Sequence, residues 1–323
     1  MNRRDFLKLS GGGFILSAAA LGGFLGTRTP NSALRPWINA GQYEDLRLRA
    51  LSYAILSPNP HNRQPWEVEL LGDNKIKIYR DKTKNLPETD PFDRQLTIGM
   101  GCFIETLSIA SREFGLSNEI SYFPAGEDGP VAVITFSSTS EAKDPLFNCI
   151  LNRRSCKEPF SSMALSGEQI SALSNFGDVF YKNEDVEDLK KITWESWLIE
   201  YMTPRTLKES IDLMRFGKKE INLSPDGIDL GGAFLESLSL IGLMTPESMA
   251  ETGSIAYQTG IDMYDEMLNS TPNYILLKTD NNDRYAQINT GRKWARLNLK
   301  TTEMGLSIHP CSQALQEYPE MRD

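Results

Sequence analysis

A ten-residue stretch rich in proline and amide side chains most constrains how this chain folds. It reads SPNPHNRQPW and runs from Ser57 to Trp66. Pro58 and Pro60 have a fixed φ and no N–H donor, so the stretch is neither an α-helix nor a central strand. A loop this stiff has little conformational entropy left to lose when a ligand binds. The sequence therefore predicts a rigid loop between elements.

Two amide side chains give this loop a capacity for recognition. Asn62 and Gln64 each carry a carboxamide, which both donates and accepts hydrogen bonds. Such groups suit the nitrogen and oxygen edge of a flat heterocycle such as an isoalloxazine. A packed connection that ends in Trp66 is the alternative interpretation of the same residues. The loop by itself favours the packed connection, and the rest of the chain changes that balance.

A second stretch carries basic side chains. It reads NRRSCKEPF from Asn152 to Phe160, and it is predicted to open a helix. Arg153, Ser155 and Lys157 supply a guanidinium, a hydroxyl and an ammonium group within five residues. These groups suit one phosphate, and a helix N-terminus would add to their attraction for it. A solvated basic patch is the alternative, because short motifs of this kind are common.

Both stretches resemble motifs of the flavin-dependent nitroreductase superfamily. The loop resembles its Asn-x-Gln-Pro-Trp signature, which borders FMN, and the basic stretch is similar to the motif that holds the FMN phosphate and ribityl chain. Their order is reversed relative to an ordinary nitroreductase, as in the Acg-like branch, where two nitroreductase-like halves are fused in one chain. Further matches follow in the order of that branch: Asp93-Arg94, Gly291-Arg292 and Gly305–Gln313.

The resemblance implies a fold and a cofactor site. The fold is α+β, with a mixed, mostly antiparallel sheet flanked by helices and two fused halves that form an intramolecular pseudo-dimer around one FMN. The implied FMN-binding residues are Arg153, Arg154, Ser155 and Lys157 from one half, and Pro58, Asn59, Pro60, Asn62 and Gln64 from the other. Arg154 either faces solvent or contacts the flavin edge. No catalytic side chain is required, because flavin N5 carries the hydride.

Hydrophobic periodicity and turn residues predict the elements of the two halves. The first half, 44–140, contains a helix over 44–56, a hairpin around 72–74, a helix over 94–114 and strands over 119–123 and 131–136. The helix over 94–114 has one buried stripe, and its Gly99-x-Gly101 would let another backbone come close. A short polar linker over 137–144 follows. The second half, 145–323, contains a capping box at 166–169, helices over 185–199 and 283–304 and a strand over 273–278. The chain end is predicted to be helical, without the basic strand that adds phosphate contacts in relatives.

Residues 200–260 break the regular pattern. They are rich in methionine, glycine and serine and contain Pro204, Pro225 and Pro246. The sequence predicts irregular helices and loops that cover the site. A helical subdomain with no role at the site is the alternative interpretation. The segment 200–260 is called the cover below.

The first thirty residues are typical of an export signal. Paired Arg3 and Arg4 precede Phe-Leu-Lys and a weakly apolar run from Gly11 to Gly26, in the order of a twin-arginine signal. The sequence therefore predicts a periplasmic or otherwise exported protein that uses the twin-arginine machinery. An uncleaved signal would also act as a membrane anchor. A disordered basic tail is the alternative.

Composition narrows the classes of partner. The chain has 323 residues and a net charge of −9, and residues 31–323 carry 30 basic against 42 acidic side chains, a net charge of −12. This charge argues against nucleic acid as a partner. Two distant histidines and no Cys-x-x-Cys spacing make a zinc site improbable. The four cysteines are predicted to be small buried side chains, with a Cys149–Cys156 disulfide as the alternative.

These observations lead to one function and two rivals. The leading hypothesis is an exported FMN-dependent oxidoreductase that transfers hydride to a small-molecule acceptor, namely a nitro, quinone-like or other flat electron-poor compound. The first rival is an FMN-binding or FMN-sequestering protein with little NAD(P)H-dependent turnover. The cover and the scarcity of NAD(P)H outside the cytoplasm favour it. The second rival is a scaffold that binds no flavin.

Overall fold

The computed structural model describes residues 27–322 and shows a mixed α+β fold. An antiparallel sheet is flanked by helices, which agrees with the predicted fold class. The strands are β1 Trp66–Leu71, β2 Lys75–Arg80, β3 Leu116–Tyr122, β4 Ala132–Ser138, β5 Asp178–Phe180, β6 Met214–Phe216, β7 Ile228–Leu230 and β8 Tyr274–Leu276. The helices are α1 Arg35–Asn39, α2 Leu46–Ala54, α3 Arg94–Glu113, α4 Gly167–Leu173, α5 Asn183–Met202, α6 Pro204–Asp212, α7 Gly217–Leu223, α8 Ala233–Leu240, α9 Pro246–Ala250, α10 Ile255–Asn269 and α11 Arg284–Glu303.

The main sheet has the strand order β1-β2-β4-β3, and all its pairs are antiparallel. The predicted hairpin is confirmed, with Leu71 opposite Lys75 across the turn. Alternate side chains of β2 and β4 are buried, which fixes the register because a slip by one residue would turn them to solvent. Strand β3 begins at Leu116, three residues before the predicted start.

Helix α3 is the central element of the first half. The predicted stripe is confirmed, since Leu96, Met100, Phe103 and Leu107 are fully buried. The residue at its N-cap, Asp93, has no side-chain capping bond.

The buried Asp90 caps helix α3 instead. Its carboxylate accepts the N–H groups of Gln95 at 3.0 Å and Leu96 at 2.9 Å. A carboxylate there satisfies N–H groups that have no partner within the helix.

Helices α3 and α11 cross in backbone contact. A methyl group added at Gly291 would lie 1.9 Å from the carbonyl oxygen of Ile98, and one added at Gly101 would lie 2.2 Å from that of Ile288. The predicted close approach at Gly101 is therefore confirmed. Helix α11 belongs to the second half of the sequence, yet its Ile288 lies in the core of the first half. The two halves share one core at this crossing.

An ion-pair network reinforces the same contact. The buried Glu105 of α3 accepts from Arg292 Nε at 2.6 Å and from Arg296 Nη1 at 2.7 Å. Arg296 also donates to Asp144 at 2.7 Å, and Arg292 donates to the hydroxyl of Tyr122 at 3.0 Å. Charge-assisted bonds of this kind fix the orientation of α11 on the sheet and on the linker.

The second half is built from short elements. The capping box at Ser166 and Gln169 is confirmed, and helices α5 and α11 occupy the predicted regions. Strands β5 and β8 form an antiparallel pair and β6 and β7 a parallel pair, so residues 145–322 do not repeat the four-stranded sheet. The division into two fused nitroreductase-like halves stays a prediction.

Three local expectations differ from the structure. Residues 153–160 form no helix, because the Cys156 N–H pairs with the Ile308 carbonyl at 2.9 Å and Pro159 has no N–H donor. Strand β8 covers only Tyr274–Leu276 of the predicted 273–278. From 305 to 322 the chain has two single 3-10 turns, Gln313–Leu315 and Pro319–Met321, in place of the predicted helix.

The predicted burial of the four cysteines is confirmed for two of them. All four sulfurs are free, and Cys102 and Cys149 are buried as predicted, whereas Cys156 and Cys311 are half-buried.

Residues 1–26, which carry most of the predicted twin-arginine signal, lie outside the described part of the chain. Within residues 27–322 there is no helix of the length and hydrophobicity needed to cross a bilayer.

Candidate functional site

The proline-rich loop lies against helix α3 in an unusual backbone conformation. His61, Asn62 and Gln64 all have φ between +46° and +52°, the left-handed region that residues other than glycine seldom adopt. The N–H of Gln64 donates to Asn59 Oδ1 at 2.7 Å and so holds the turn. A methyl group added at Gly99 of α3 would lie 3.0 Å from Pro60 Cδ. Close packing on α3 thus holds a strained loop, and such strain is concentrated at functional sites.

Arg153 extends beneath the start of this loop. Its Nη2 donates to the carbonyl of Leu56, the residue immediately before the loop, at 3.1 Å, so the basic stretch reaches the start of the loop across 97 positions of sequence. Its Nη1 is buried and has no hydrogen-bond partner among the described residues. A buried guanidinium normally fills its donor positions, because an unpaired charged donor costs more than a neutral one. Arg153 therefore presents a donor suited to an anion.

No carboxylate among the described residues pairs with Arg153 either. Burial lowers the pKa of its guanidinium to about 10, and the neighbouring positive charge of Arg154 acts in the same direction. The group stays protonated at neutral pH, but burial disfavours its charged form. An anion bound there would favour the charged form again. A phosphate fits this requirement, since it accepts from several guanidinium donors at once.

The basic stretch runs beside another stretch that the sequence singled out. Besides the pairing of Cys156 with Ile308, the carbonyl oxygen of Cys156 lies 2.6 Å from His309 Nδ1. Burial lowers the pKa of His309, so its ring is neutral at neutral pH and donates from Nδ1 to this carbonyl. His309 therefore fixes the backbone of the basic stretch.

The other residues of the basic stretch occupy different environments. Ser155 is half-buried and Lys157 is exposed. Arg154 is exposed, with its guanidinium carbon 5.1 Å from the centre of the Trp37 ring, and its Nη1 donates to the Leu151 and Arg153 carbonyls. The helix dipole invoked from the sequence is absent here, so any anion site depends on Arg153 and its immediate neighbours.

The carboxamides of the loop bind the cover in this structure. Asn62 Nδ2 donates to the carbonyls of Pro225 at 3.0 Å and Gly227 at 3.1 Å, and Gln64 Nε2 donates to Pro225 at 3.0 Å. The Gly227 N–H in turn donates to the Asn62 carbonyl at 3.0 Å. The cover therefore lies on the amide edge of the loop, which was the position predicted for a flat ring.

Asp226 is the ionic centre of this contact. Its carboxylate accepts from four side chains: Lys84 at 2.6 Å, Ser224 at 2.7 Å, Arg63 at 3.1 Å and Arg215 at 3.4 Å. Burial acts to raise its pKa, but the bonds from Lys84 and Ser224 outweigh burial and lower it to about 2. The Asp226 carboxylate is thus ionised above about pH 4. Its ion pairs, which anchor the cover to the loop, are lost only as the pH falls towards 2.

The structure thus places the predicted residues in two neighbouring groups. Arg153 lies under the loop with its unpartnered donor, whereas Asn62 and Gln64 lie on the far edge with the cover. Asp226 and Arg63, which join the loop to the cover, were missed by sequence reasoning. Arg63 lies inside the recognised loop, but its partner is 163 positions away in an irregular segment, where no periodicity marks a contact.

Comparison with known proteins gives a distant relationship. No family model matches the chain. The Mycobacterium tuberculosis protein named "Putative NAD(P)H nitroreductase acg", from strain CDC 1551 / Oshkosh and from strain H37Rv, is 28% identical over 121 residues. The aligned part is 36% of this chain and 36% of the relative, so the chain spans about a third of the length of the relatives it matches. The comparison supports a nitroreductase-like relationship at most.

Proposed function

We propose that this protein is an FMN-dependent, nitroreductase-like oxidoreductase that transfers hydride to a flat, electron-poor small molecule. The observation that carries the proposal is Arg153 at the start of the loop, whose buried Nη1 is a donor that no described residue satisfies. The distant nitroreductase relative supports the same reaction class. FMN bound there would supply the hydride-carrying N5, and no protein nucleophile or acid–base pair is required.

Each part of the candidate site has a task in this proposal. Arg153 holds the phosphate, with Ser155 and Lys157 as neighbouring donors. Pro58, Asn59 and Pro60 fix the loop that packs against α3, so that its backbone is preorganised when the ring arrives. Asn62 and Gln64 hold the cover, which excludes water from the site. The pseudo-dimer of two fused halves would bring these groups together within one chain.

The cofactor is tested by releasing it. Purified full-length protein is expected to be yellow and to release FMN on heating, because the Nη1 donor of Arg153, which no described residue satisfies, suits a terminal phosphate and the sequence has no second phosphate-binding turn. Chromatography of the released compound against FMN and FAD standards decides the point. Release of FAD, or of no flavin, would contradict the proposal.

A second function is favoured by the cover. Because Asp226 and the loop carboxamides fasten the cover on the amide edge, the cover would hinder a nicotinamide that approaches from that side. Hydride transfer requires the donor carbon about 3–3.5 Å from the acceptor atom. A closed cover would make the protein an FMN-sequestering protein with little turnover by NAD(P)H.

Removing the charge of Asp226, which anchors the cover to the loop, distinguishes the two functions. We expect Asp226→Asn to speed anaerobic reduction of the bound flavin by NADH about five-fold, which corresponds to roughly 1 kcal/mol of lost anchoring. Reduction by dithionite should be fast in both forms. Asp212→Asn is the matched control, since Asp212 pairs with Lys208 on the exposed surface of the same segment. Rapid, saturable reduction of the unaltered protein by NADH in stopped-flow measurements would exclude both the closed cover and sequestration.

The export route is part of the proposal. A flavoprotein acquires FMN where FMN is made, so it folds first and crosses the membrane folded, as the twin-arginine machinery allows. The double variant Arg3→Lys and Arg4→Lys keeps the charge of the signal but should reduce the exported fraction to background in cell fractionation. Unchanged export of the double variant would rule out this route.

A further inference from the structure

Helix α8 and the turn after it present an exposed apolar surface. Its members are Phe234, Leu240, Ile241 and Leu243, which expose 72%, 69%, 68% and 42% of their surface. Phe234 and Ile241 lie seven positions apart and therefore on the same side of the helix. These four residues are called the α8 face. Isolated exposed apolar residues are ordinary, but a group of four on one short element marks a surface that binds something.

The α8 face is uncharged over its whole length. From Gly231 to Met244 the sequence contains one ionisable residue, Glu236. Its side chain is 13% exposed and forms an ion pair with Arg28 at 2.8 Å. The acid therefore turns towards the protein, and only neutral side chains remain on the outer side.

The first described residues, from Thr27 onwards, lie beside this face. Lys218 Nζ of α7 donates to the Thr27 carbonyl at 2.8 Å, and Arg28 is held by Glu236 of α8. Asn222 Oδ1, also in α7, accepts the N–H groups of Ser32 and Ala33. The residues just before Thr27, from Gly11 to Gly26, form an uncharged run with Phe, Leu and Ile. This uncharged run of sequence thus ends one residue before the chain reaches the α8 face.

We propose that the α8 face docks on the surface of a zwitterionic lipid bilayer. A short helix with large apolar side chains on one side lies in the plane of the bilayer interface, where those side chains leave water. The net charge of −9 disfavours an anionic lipid surface, which selects a zwitterionic one. An uncleaved signal over 11–26 would anchor the chain in a bilayer just before Thr27, which is held close to the α8 face. Because α8 lies within 200–260, the docked surface belongs to the cover.

Vesicle binding with a local readout tests this docking. Full-length protein is mixed with phosphatidylcholine vesicles, and backbone hydrogen exchange is followed over residues 232–244. These residues should be protected by vesicles, whereas residues 116–122 should not. The double variant Phe234→Ser and Ile241→Ser should bind vesicles about ten-fold to a hundred-fold more weakly. The matched control is Ile192→Ser with Met202→Ser, which removes two exposed apolar side chains from α5.

Three results would overturn the proposal. One is vesicle-bound protein whose residues 232–244 exchange as fast as in solution. The second is equal loss of binding in the control pair. The third is protection of 232–244 without vesicles, either dependent on protein concentration or lost on deletion of 11–26, since a second copy or the chain's own apolar run would then cover the face. Thermal melts of all variants check that they fold.

Discussion

Gly291→Ala is expected to lower the free energy of unfolding by about 3 kcal/mol or more. The added methyl group would lie 1.9 Å from the Ile98 carbonyl oxygen and 2.9 Å from the α-carbon of Gly101, which is backbone on both sides. No side-chain rotation relieves such a contact, so α3 and α11 must move apart. Their separation opens the core around Ile288 and strains the ion pairs of Glu105.

Gly167→Ala is the matched control for this substitution. Gly167 begins helix α4 and has no atom within 4 Å of an added methyl group. Alanine there should leave stability unchanged or raise it slightly, because it restricts the unfolded chain. Urea denaturation of the three proteins measures the difference. Equal midpoints for the Gly291 variant and the unaltered protein would show that the two helices do not touch as described.

The sequence predicted well those elements whose signals are local. The alternation in β2, the buried stripe of α3 and the capping box at Ser166 each lie within a few residues, and each is present. The close approach at Gly101 was also predictable, since glycine spacing in a helix permits backbone contact. Its partner Gly291 belongs to one of the motifs identified in the sequence, but nothing in the sequence indicated that Gly101 and Gly291 are in contact.

The basic stretch shows why local reasoning fails elsewhere. The paired arginines suggested a helix start, but the conformation of residues 153–160 is set by Ile308 and His309, about 150 positions away. Likewise Asp226 in the irregular cover has no sequence signal, because its role depends on two cations from distant parts of the chain, Arg63 and Lys84, besides Arg215 of the cover itself. Sequence reasoning predicted which side chains could bind a cofactor. It did not predict which other residues fix the positions of those side chains.

Arg153→Ala is expected to weaken FMN binding about ten-fold to a hundred-fold. Loss of one charge-assisted contact to a phosphate corresponds to about 1.5–3 kcal/mol. Arg154→Ala should have a smaller effect, since its guanidinium lies over the Trp37 ring and its Nη1 already donates to backbone carbonyls. The two variants remove the same charge from adjacent positions. Their comparison separates a specific contact from a general loss of positive charge.

Titration of flavin-free protein with FMN and with riboflavin, followed by flavin fluorescence, tests the central claim most directly. Riboflavin has the same ring but no phosphate. The unaltered protein should prefer FMN over riboflavin, and Arg153→Ala should lose most of this preference while its affinity for riboflavin stays the same. An Arg153→Ala variant that keeps the full preference for FMN would contradict the assignment of the buried guanidinium as the phosphate site.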